Sequence, residues 1–230
     1  MPGIFVTGTD TGVGKTRVAV ALIEALKAQG LRVAGMKPVA AGCERLKDAW
    51  VNEDVTMLRA AANVAAPMAW INPYLFPEPV APHLAAARQN TRIELAPIVA
   101  AYRELERRAD VVVVEGAGGF RVPLNEAEDS ADLAVALGLP MVLVVGLRLG
   151  CLNHALLSVE AIAARGLTLA GWVANGIDPA MALRQENVRA LRERIASPCL
   201  AEWPWLEKNT CEAASAMLDL GPVLSGLARR

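Results

Sequence analysis

Apolar residues in this chain come in unbroken runs separated by helical periods. Val111-Val112-Val113-Val114 is the cleanest run, apolar at every position. A strand of that kind is buried on both faces, as in a parallel sheet covered by helices. Ile4-Phe5-Val6, closed by Gly8, is a shorter example, and Met141–Val145 and Thr168–Ala174 repeat the pattern. Leu31–Val39 contains a further strand that finishes near Lys37-Pro38. Between the runs, Val18, Leu22, Ile23 and Leu26 fall at helical spacing, which predicts a helix over Thr16–Gln29 ended by Gly30. Helices are predicted likewise over Asn52–Ala62, Ile93–Arg108, Asp129–Leu137, Asn153–Arg165 and Ala182–Ile195. Pro67–Pro82 holds five prolines in sixteen residues and reads as an irregular surface loop. Strand then helix, repeated, predicts an α/β fold with a mostly parallel central sheet and helices on both faces. No internal repeat or break in composition marks a second domain, so residues 1–230 are expected to form one.

Composition narrows the function classes. The 23 Lys and Arg residues nearly balance the 24 Asp and Glu residues, for a net charge of −1. That excludes a broad basic face for duplex nucleic acid and an acidic disordered tail. Hydrophobic residues make up 54% of the chain and aromatic residues only 4%, so the apolar mass is alanine, valine and leucine. No apolar run approaches the ~18 residues of a membrane span. The cysteines Cys43, Cys151, Cys199 and Cys211 show no metal-binding or redox spacing. The N-terminus enters a strand at once, without a basic leader. A reduced, cytoplasmic protein is expected.

The strongest chemical signal is Gly8-Thr9-Asp10-Thr11-Gly12-Val13-Gly14-Lys15-Thr16, between a predicted strand and a predicted helix. That is the setting of a P-loop. Small residues let backbone N–H groups wrap phosphate oxygens, and the helix N-terminus adds partial positive charge. Lys15 supplies a full charge to the β- and γ-phosphates, and the Thr16 hydroxyl is a hard oxygen suited to Mg²⁺. In the standard spacing the first glycine would fall at Thr9, and Gly8 stands one residue early. The competing reading is a glycine-rich turn with a chance Lys-Thr.

Glu115 follows the valine strand at its C-terminal end, the edge where open α/β sheets bind ligands. It is the first candidate metal ligand, and Gly116-Ala117-Gly118-Gly119 then lets the backbone pass close to a ligand. Asp110, at the other end of that strand, reads as a solvated strand start. Asp54 sits in a first helical turn, where local evidence favours simple complementation of the helix dipole. Lys37 ends the second strand on the ligand edge and reads equally as an exposed strand-end lysine.

These residues resemble the dethiobiotin synthetases. The matching segments are Phe5-Val6-Thr7-Gly8-Thr9-Asp10-Thr11 with Val13-Gly14-Lys15-Thr16, Gly35-Met36-Lys37-Pro38-Val39, Asn72-Pro73-Tyr74, Pro82-His83 and Val114-Glu115-Gly116-Ala117-Gly118-Gly119. Val144-Val145-Gly146, Leu149-Gly150-Cys151-Leu152-Asn153-His154-Ala155, Leu167 to Asn175 and Pro204-Trp205-Leu206 complete the series. The Lys37 and Gly150 segments are far more specific than the phosphate loop, which alone says only nucleotide.

The resemblance implies a P-loop NTPase-like fold and ATP-dependent ring closure of 7,8-diaminononanoate with CO2 (or bicarbonate), giving dethiobiotin, ADP and phosphate. It implies Lys37, Lys15 and Thr11 as catalytic residues and Thr16, Asp54 and Glu115 as Mg²⁺ ligands, raising Asp54 and Lys37 above their local readings. ATP contacts are implied at Gly12, Val13, Gly14, Lys15, Thr16, Arg17, Asp54, Glu115, Gly116, Ala117 and Gly118. The base end is implied at Asn175, Gly176, Pro204, Trp205 and Leu206. Substrate contacts are implied at Thr11, Lys37, Ala41, Gly150, Cys151, Leu152 and Asn153. The last four come from the partner subunit of a homodimer, where the start of a helix offers N–H groups to a carboxylate. Cys151 then reads as a small residue in a tight turn rather than a nucleophile, and His83 and His154 as structural.

Three positions depart from a well-known branch of that family. Gly12 replaces a glutamate, Ala41 a substrate-facing serine, and Gly176 an aspartate. Two other nucleotide-binding classes fit less well. Partitioning and septum-positioning ATPases predict a lysine at position 10 or 11, where this chain has Asp10 and Thr11. Amidotransferase-type synthetases predict an added glutaminase domain, for which 230 residues leave no room, so CO2 rather than ammonia is the expected small substrate. A nonenzymatic nucleotide-binding module leaves Lys37 and the Gly150 segment unexplained.

Overall fold

The computed structural model describes residues 3–46, 49–205 and 215–228. Six parallel strands form the central sheet: β1 (Gly3–Gly8), β2 (Val33–Met36), β7 (Val111–Glu115), β8 (Met141–Leu147), β9 (Leu169–Gly176) and β10 (Cys199–Trp203). Their order is β10-β9-β8-β1-β7-β2. Valines alternate between the two faces. Val111 and Val113 join a core with Val18, Leu22 and Leu26 of α1 (Lys15–Ala28). Val112 and Val114 join a second core with Ile98, Tyr102 and Leu105 of α5 (Leu95–Glu106). Helix α2 (Glu53–Ala61) packs beside α1, and α6 (Ser130–Leu137) contributes Ala131 and Ala134 to the α5 side. Toward β9 and β10, Leu143, Val145 and Trp172 pack with Val188 and Leu191 of α8 (Arg184–Arg194) and with Cys151 and Ala155 of α7 (Cys151–Ala164). This is the expected α/β sheet with helices on both faces.

Four features differ from the periodicity reading. Pro67–Pro82 is not irregular throughout. Pro67 precedes the short helix α3 (Met68–Ile71), and Tyr74–Phe76 forms β6, paired in parallel with β3 (Val39–Ala41). The prolines fall outside β6, so they bound this pairing rather than prevent it. The strand expected within Leu31–Val39 divides at Lys37-Pro38 into β2 and β3, which belong to different sheets. Helix α7 starts at Cys151, so Cys151 is its first residue and not part of a preceding turn. Finally, β10, the antiparallel pair β4 (Glu44–Leu46) and β5 (Ala49–Val51), α4 (Pro82–Arg88) and α9 (Gly221–Ala228) have no counterpart among the predicted elements. None of the described helices is long and apolar enough to cross a membrane.

Candidate active site

The sheet order places β1 between β7 and β8, so the loop leaving β1 meets the ends of both neighbours. Gly14 adopts a φ of +90° and directs the chain into α1. A Cβ there would lie 2.3 Å from Asn175 Nδ2, so only glycine fits. Buried Val13 anchors the loop, and its carbonyl accepts a hydrogen bond from Asn175 Nδ2 at 2.8 Å. Lys15 is 6% exposed and donates from Nζ to the Asp10 carbonyl at 2.9 Å. Burial, aided by the neighbouring Lys37 charge, lowers its pKa to about 8.

Register brings the next groups together. Val6 of β1 aligns with Glu115, and Met36 of β2 with Val114, so Lys37 emerges beside Glu115. Lys37 Nζ donates to Glu115 Oε1 at 2.5 Å and to Asp54 Oδ2 at 2.8 Å. The Thr16 hydroxyl lies 2.7 Å from Asp54 Oδ1 and 2.9 Å from Glu115 Oε1. Asp54 reaches this cluster from the first turn of α2, whose N-cap Asn52 accepts from Val55 N at 3.2 Å. It therefore does more than complement a helix dipole. Lys37 is likewise buried rather than an exposed strand end.

Burial opposes the charge on Lys37, but the facing Glu115 and Asp54 carboxylates outweigh it and raise its pKa. Burial also works against ionised Asp54, yet Lys37 and Thr16 hold its pKa below the ordinary carboxylate value. Glu115 is fully enclosed, and there burial prevails over Lys37 and raises its pKa.

Two carboxylates and a hydroxyl facing one cation form a hard-oxygen set. Among the described residues, Glu115 Oε2 is buried with no hydrogen-bond partner. The set fits Mg²⁺, which takes a few protein oxygens and completes its shell with phosphate and water.

A cavity of about 760 Å³ opens from this cluster. Thr11, Lys15, Lys37, Ala41, Ala117 and Gly118 line it. Val39, Pro79, Val80, Val122 and Pro123 supply an apolar wall. A second space of about 350 Å³ adjoins the phosphate loop and is lined by Gly12, Arg17, Asn175, Gly176, Ile177 and Trp205. A Cβ at position 176 would lie 2.6 Å from the Trp205 backbone nitrogen, so the Pro204-Trp205 segment closes directly over this glycine. Trp205 is 41% exposed and not a core aromatic. Arg17 is buried against the Trp203 ring at 4.8 Å and donates to Asn175 Oδ1 at 3.4 Å. Asn175 thus braces the phosphate loop from both ends of its amide. Leu206 and Cys211 lie outside the described residues.

The model of the AAA domain family AAA_26 matches residues 2–213. The chain belongs to that family. Dethiobiotin synthetase is one of the enzymes the family includes. Solved structures with the same fold include the Aquifex aeolicus MinC:MinD cell division complex, at 15% identity and a TM-score of 0.57, covering 90% of this chain and 83% of that one. The septum site-determining protein MinD of Pyrococcus horikoshii, solved with Mg-ADP, shares 16% identity at a TM-score of 0.53, covering 89% and 82%. A ParA family ATPase from Chlorobium tepidum shares 14% at 0.54, covering 99% and 91%. At these identities the likeness establishes a P-loop NTPase fold for this AAA domain.

Not every expected residue of the AAA domain joins the cluster. Gly150, Cys151, Leu152 and Asn153 lie at the start of α7 and line neither cavity within this chain. His154 is exposed on the same helix. Two supporting residues escaped the sequence reading. Asn72 Nδ2 donates to the Lys37 carbonyl at 2.6 Å, and Lys37 N donates to the Ile71 carbonyl at 2.8 Å, so the end of α3 and the residue after it fix the lysine's backbone. Asn72 stood in a matching segment, yet no local pattern linked it to position 37. Arg148 forms an ion pair with Asp10, tying the end of β8 to the phosphate loop.

Proposed function

We propose that the protein is a dethiobiotin synthetase, an ATP- and Mg²⁺-dependent cyclo-ligase acting on 7,8-diaminononanoate and CO2. The observation that carries this reading is the buried Lys37 ammonium between Asp54 and Glu115, lining with Lys15 a cavity that has an apolar wall. A simple phosphate-hydrolysing site has no use for that wall or for a second buried lysine. A substrate joining a reactive anion to an aliphatic chain uses both.

In this mechanism one amine of the substrate adds to CO2, loses a proton and becomes a carbamate. Lys37 and Thr11 hold the carbamate, and Lys15 holds the γ-phosphate. A carbamate oxygen attacks the γ-phosphorus, and the bond to the ADP oxygen breaks. The second amine then attacks the carbamate carbon of the mixed anhydride, closes the ureido ring and releases phosphate and a proton. Phosphoryl transfer depends chiefly on positioning and charge stabilisation. Two buried ammonium groups stabilise charge as it passes between carbamate and phosphate. Thr16, Asp54 and Glu115 would hold Mg²⁺, which when bound neutralises phosphate charge. Gly12 to Arg17 and Gly116 to Gly118 bind the phosphates, and Asn175, Gly176 and the Pro204-Trp205 segment flank the base. The first turn of α7, from Gly150 to Asn153, serves the partner's site in a homodimer.

ADP release measured with ATP, Mg²⁺ and bicarbonate, with and without the diamine, tests the reading. Strong dependence on the diamine is expected, with dethiobiotin formed in equal amount. ATP turnover unchanged by the diamine would reject it in favour of a nucleotide-hydrolysing switch.

A further inference from the structure

Lys37 and Pro38 lie where the chain leaves one sheet for another. Met36 ends β2 and pairs with Val114 of β7, and Val39 opens β3 and pairs with Tyr74 of β6. The residues between fall outside both ladders. Lys37 is 5% exposed, so its backbone polar groups need partners from within the protein. Those partners come from residues 71–74. Lys37 N donates to the Ile71 carbonyl at 2.8 Å, and Tyr74 N donates to the Pro38 carbonyl at 3.1 Å. Pro38 has no N–H to satisfy. The Lys37 carbonyl accepts from Asn72 Nδ2 at 2.6 Å.

Two of these three bonds join backbone to backbone and do not depend on which side chain is present. The third depends on asparagine. Asn72 is 6% exposed, and its Nδ2 also donates to the Tyr74 carbonyl at 3.0 Å. An amide nitrogen carries two N–H donors, so both are in use. The reverse orientation would set the amide oxygen against both carbonyl oxygens, which rules it out. Asn72 N donates to the Met68 carbonyl at 2.8 Å, tying the residue to α3. Asn72 lines neither cavity at the site, so it reaches the chemistry through Lys37.

Lys37 is thus anchored at its base as well as its tip. At the tip, Nζ sits 2.5 Å from Glu115 Oε1 and 2.8 Å from Asp54 Oδ2. Those carboxylates belong to the set that would hold Mg²⁺, so the tip shares its anchors with the metal. The anchor at the base belongs to the lysine alone. The ammonium rides on a flexible four-carbon stem, and a shift at the base carries to the tip.

We propose that Asn72 is a positioning residue: its amide holds the Lys37 backbone so that the ammonium meets the carbamate during phosphoryl transfer. This rests on the synthetase reading.

The test uses Asn72→Ala, which removes the donor, and Asn72→Asp, which keeps the shape but turns an acceptor toward the carbonyls. Tyr74→Phe is the control. It removes the hydroxyl that accepts from Glu94 N at 3.1 Å and leaves the bonds to Lys37 in place. Diamine-dependent ADP release gives kcat and KM. Acetylation of free amines, read by peptide mass spectrometry, gives the reactivity of Lys37 against that of Lys27 at the far end of α1. In both Asn72 variants kcat should fall about tenfold to a hundredfold, the scale of a reacting group misplaced by about 1 Å. KM for ATP and for the diamine should stay within about threefold. Lys37 should acetylate several-fold faster with Lys27 unmoved, the mark of a local opening. Tyr74→Phe should keep kcat within about twofold. A kcat retained in either Asn72 variant would overturn the assignment, as would an equal loss in Tyr74→Phe, the mark of general loosening. Asn72→Ser, whose shorter hydroxyl reaches one carbonyl at most, should fall between. It carries the test if the other variants do not fold, and a kcat equal to that of the unaltered protein then overturns the assignment. If the unaltered protein forms no dethiobiotin, the synthetase reading fails. Acetylation still decides Asn72: a rise confined to Lys37 supports its hold on that lysine, and an unchanged Lys37 rate rejects it.

Discussion

Lys37 and Glu115 meet ammonium to carboxylate at 2.5 Å across the ends of two adjacent strands, though 78 residues separate them in the chain. Both are buried, and Asp54 completes the cluster from a helix. A buried cation placed this way is expensive to desolvate, and groups of this kind cluster at functional sites.

Replacing Lys37 by alanine should abolish dethiobiotin formation, by at least about a hundredfold in kcat, the scale seen when a fixed transition-state donor is removed. Nucleotide affinity should stay within about threefold, because Lys15 and the loop backbone remain. Fluorescence titration with a labelled ATP analogue, run beside the product assay, separates the two. Parallel loss of binding would reassign Lys37 to nucleotide binding.

Lys15 has a pKa lowered to about 8 by burial and by Lys37. Its charge therefore costs folding stability at neutral pH. Above about 8 the folded protein releases that proton while the unfolded chain keeps it up to the ordinary 10.5, so this contribution rises with pH through that window. Lys15→Met should stabilise the protein at pH 7 by about 1–3 kcal/mol while eliminating ATP binding. Denaturant titrations of both proteins across the window measure it. In the unaltered protein, ATP affinity should fall as pH rises past about 8, where the phosphate loses its cation.

Asp54 behaves with the opposite sign. Lys37 and Thr16 hold its pKa below the ordinary 3.8 against the opposing effect of burial. The stability it contributes is complete above that value and is lost as pH falls through the lower folded value. Asp54→Asn should flatten the dependence of Tm on pH below about 4. A dependence as steep as that of the unaltered protein would place the acid sensitivity in other carboxylates. The same substitution should weaken the Mg²⁺ requirement for ADP binding, since one of the set's hard charged oxygens is gone.

Ala41 lines the cavity beside Lys37 and Thr11 without a polar group of its own. Ala41→Ser should lower the KM for the diamine by about twofold to tenfold, the range of one ordinary hydrogen bond, with kcat little changed. An unchanged KM would show that the substrate does not reach this part of the wall.

Gly14 tests the loop itself. With φ at +90° and a Cβ position 2.3 Å from Asn175 Nδ2, Gly14→Ala must either twist the loop or displace Asn175. A loss of about 1–3 kcal/mol in stability is expected, together with loss of ATP binding. Tm and the labelled-nucleotide titration check both.

The sequence by itself determined what short-range physics controls. Unbroken valine runs announced a sheet covered on both faces, because such a strand has no face for water. The glycine-rich turn before Lys15-Thr16 announced a phosphate loop, because its chemistry lies within nine contiguous residues from Gly8 to Thr16. Glu115 was legible as a ligand at a strand end. Asp54 and Lys37 were ambiguous from local pattern alone, and the family resemblance raised them to site residues. Only the tertiary structure decided that these groups share a cation. That depends on the β2-β7-β1 register, which is set by hydrogen bonds between distant strands. It also decided that the proline-rich segment forms β6 against β3 and supplies Asn72 to brace Lys37. Prolines prescribe local φ values and remove donors, but they do not say which strand waits alongside.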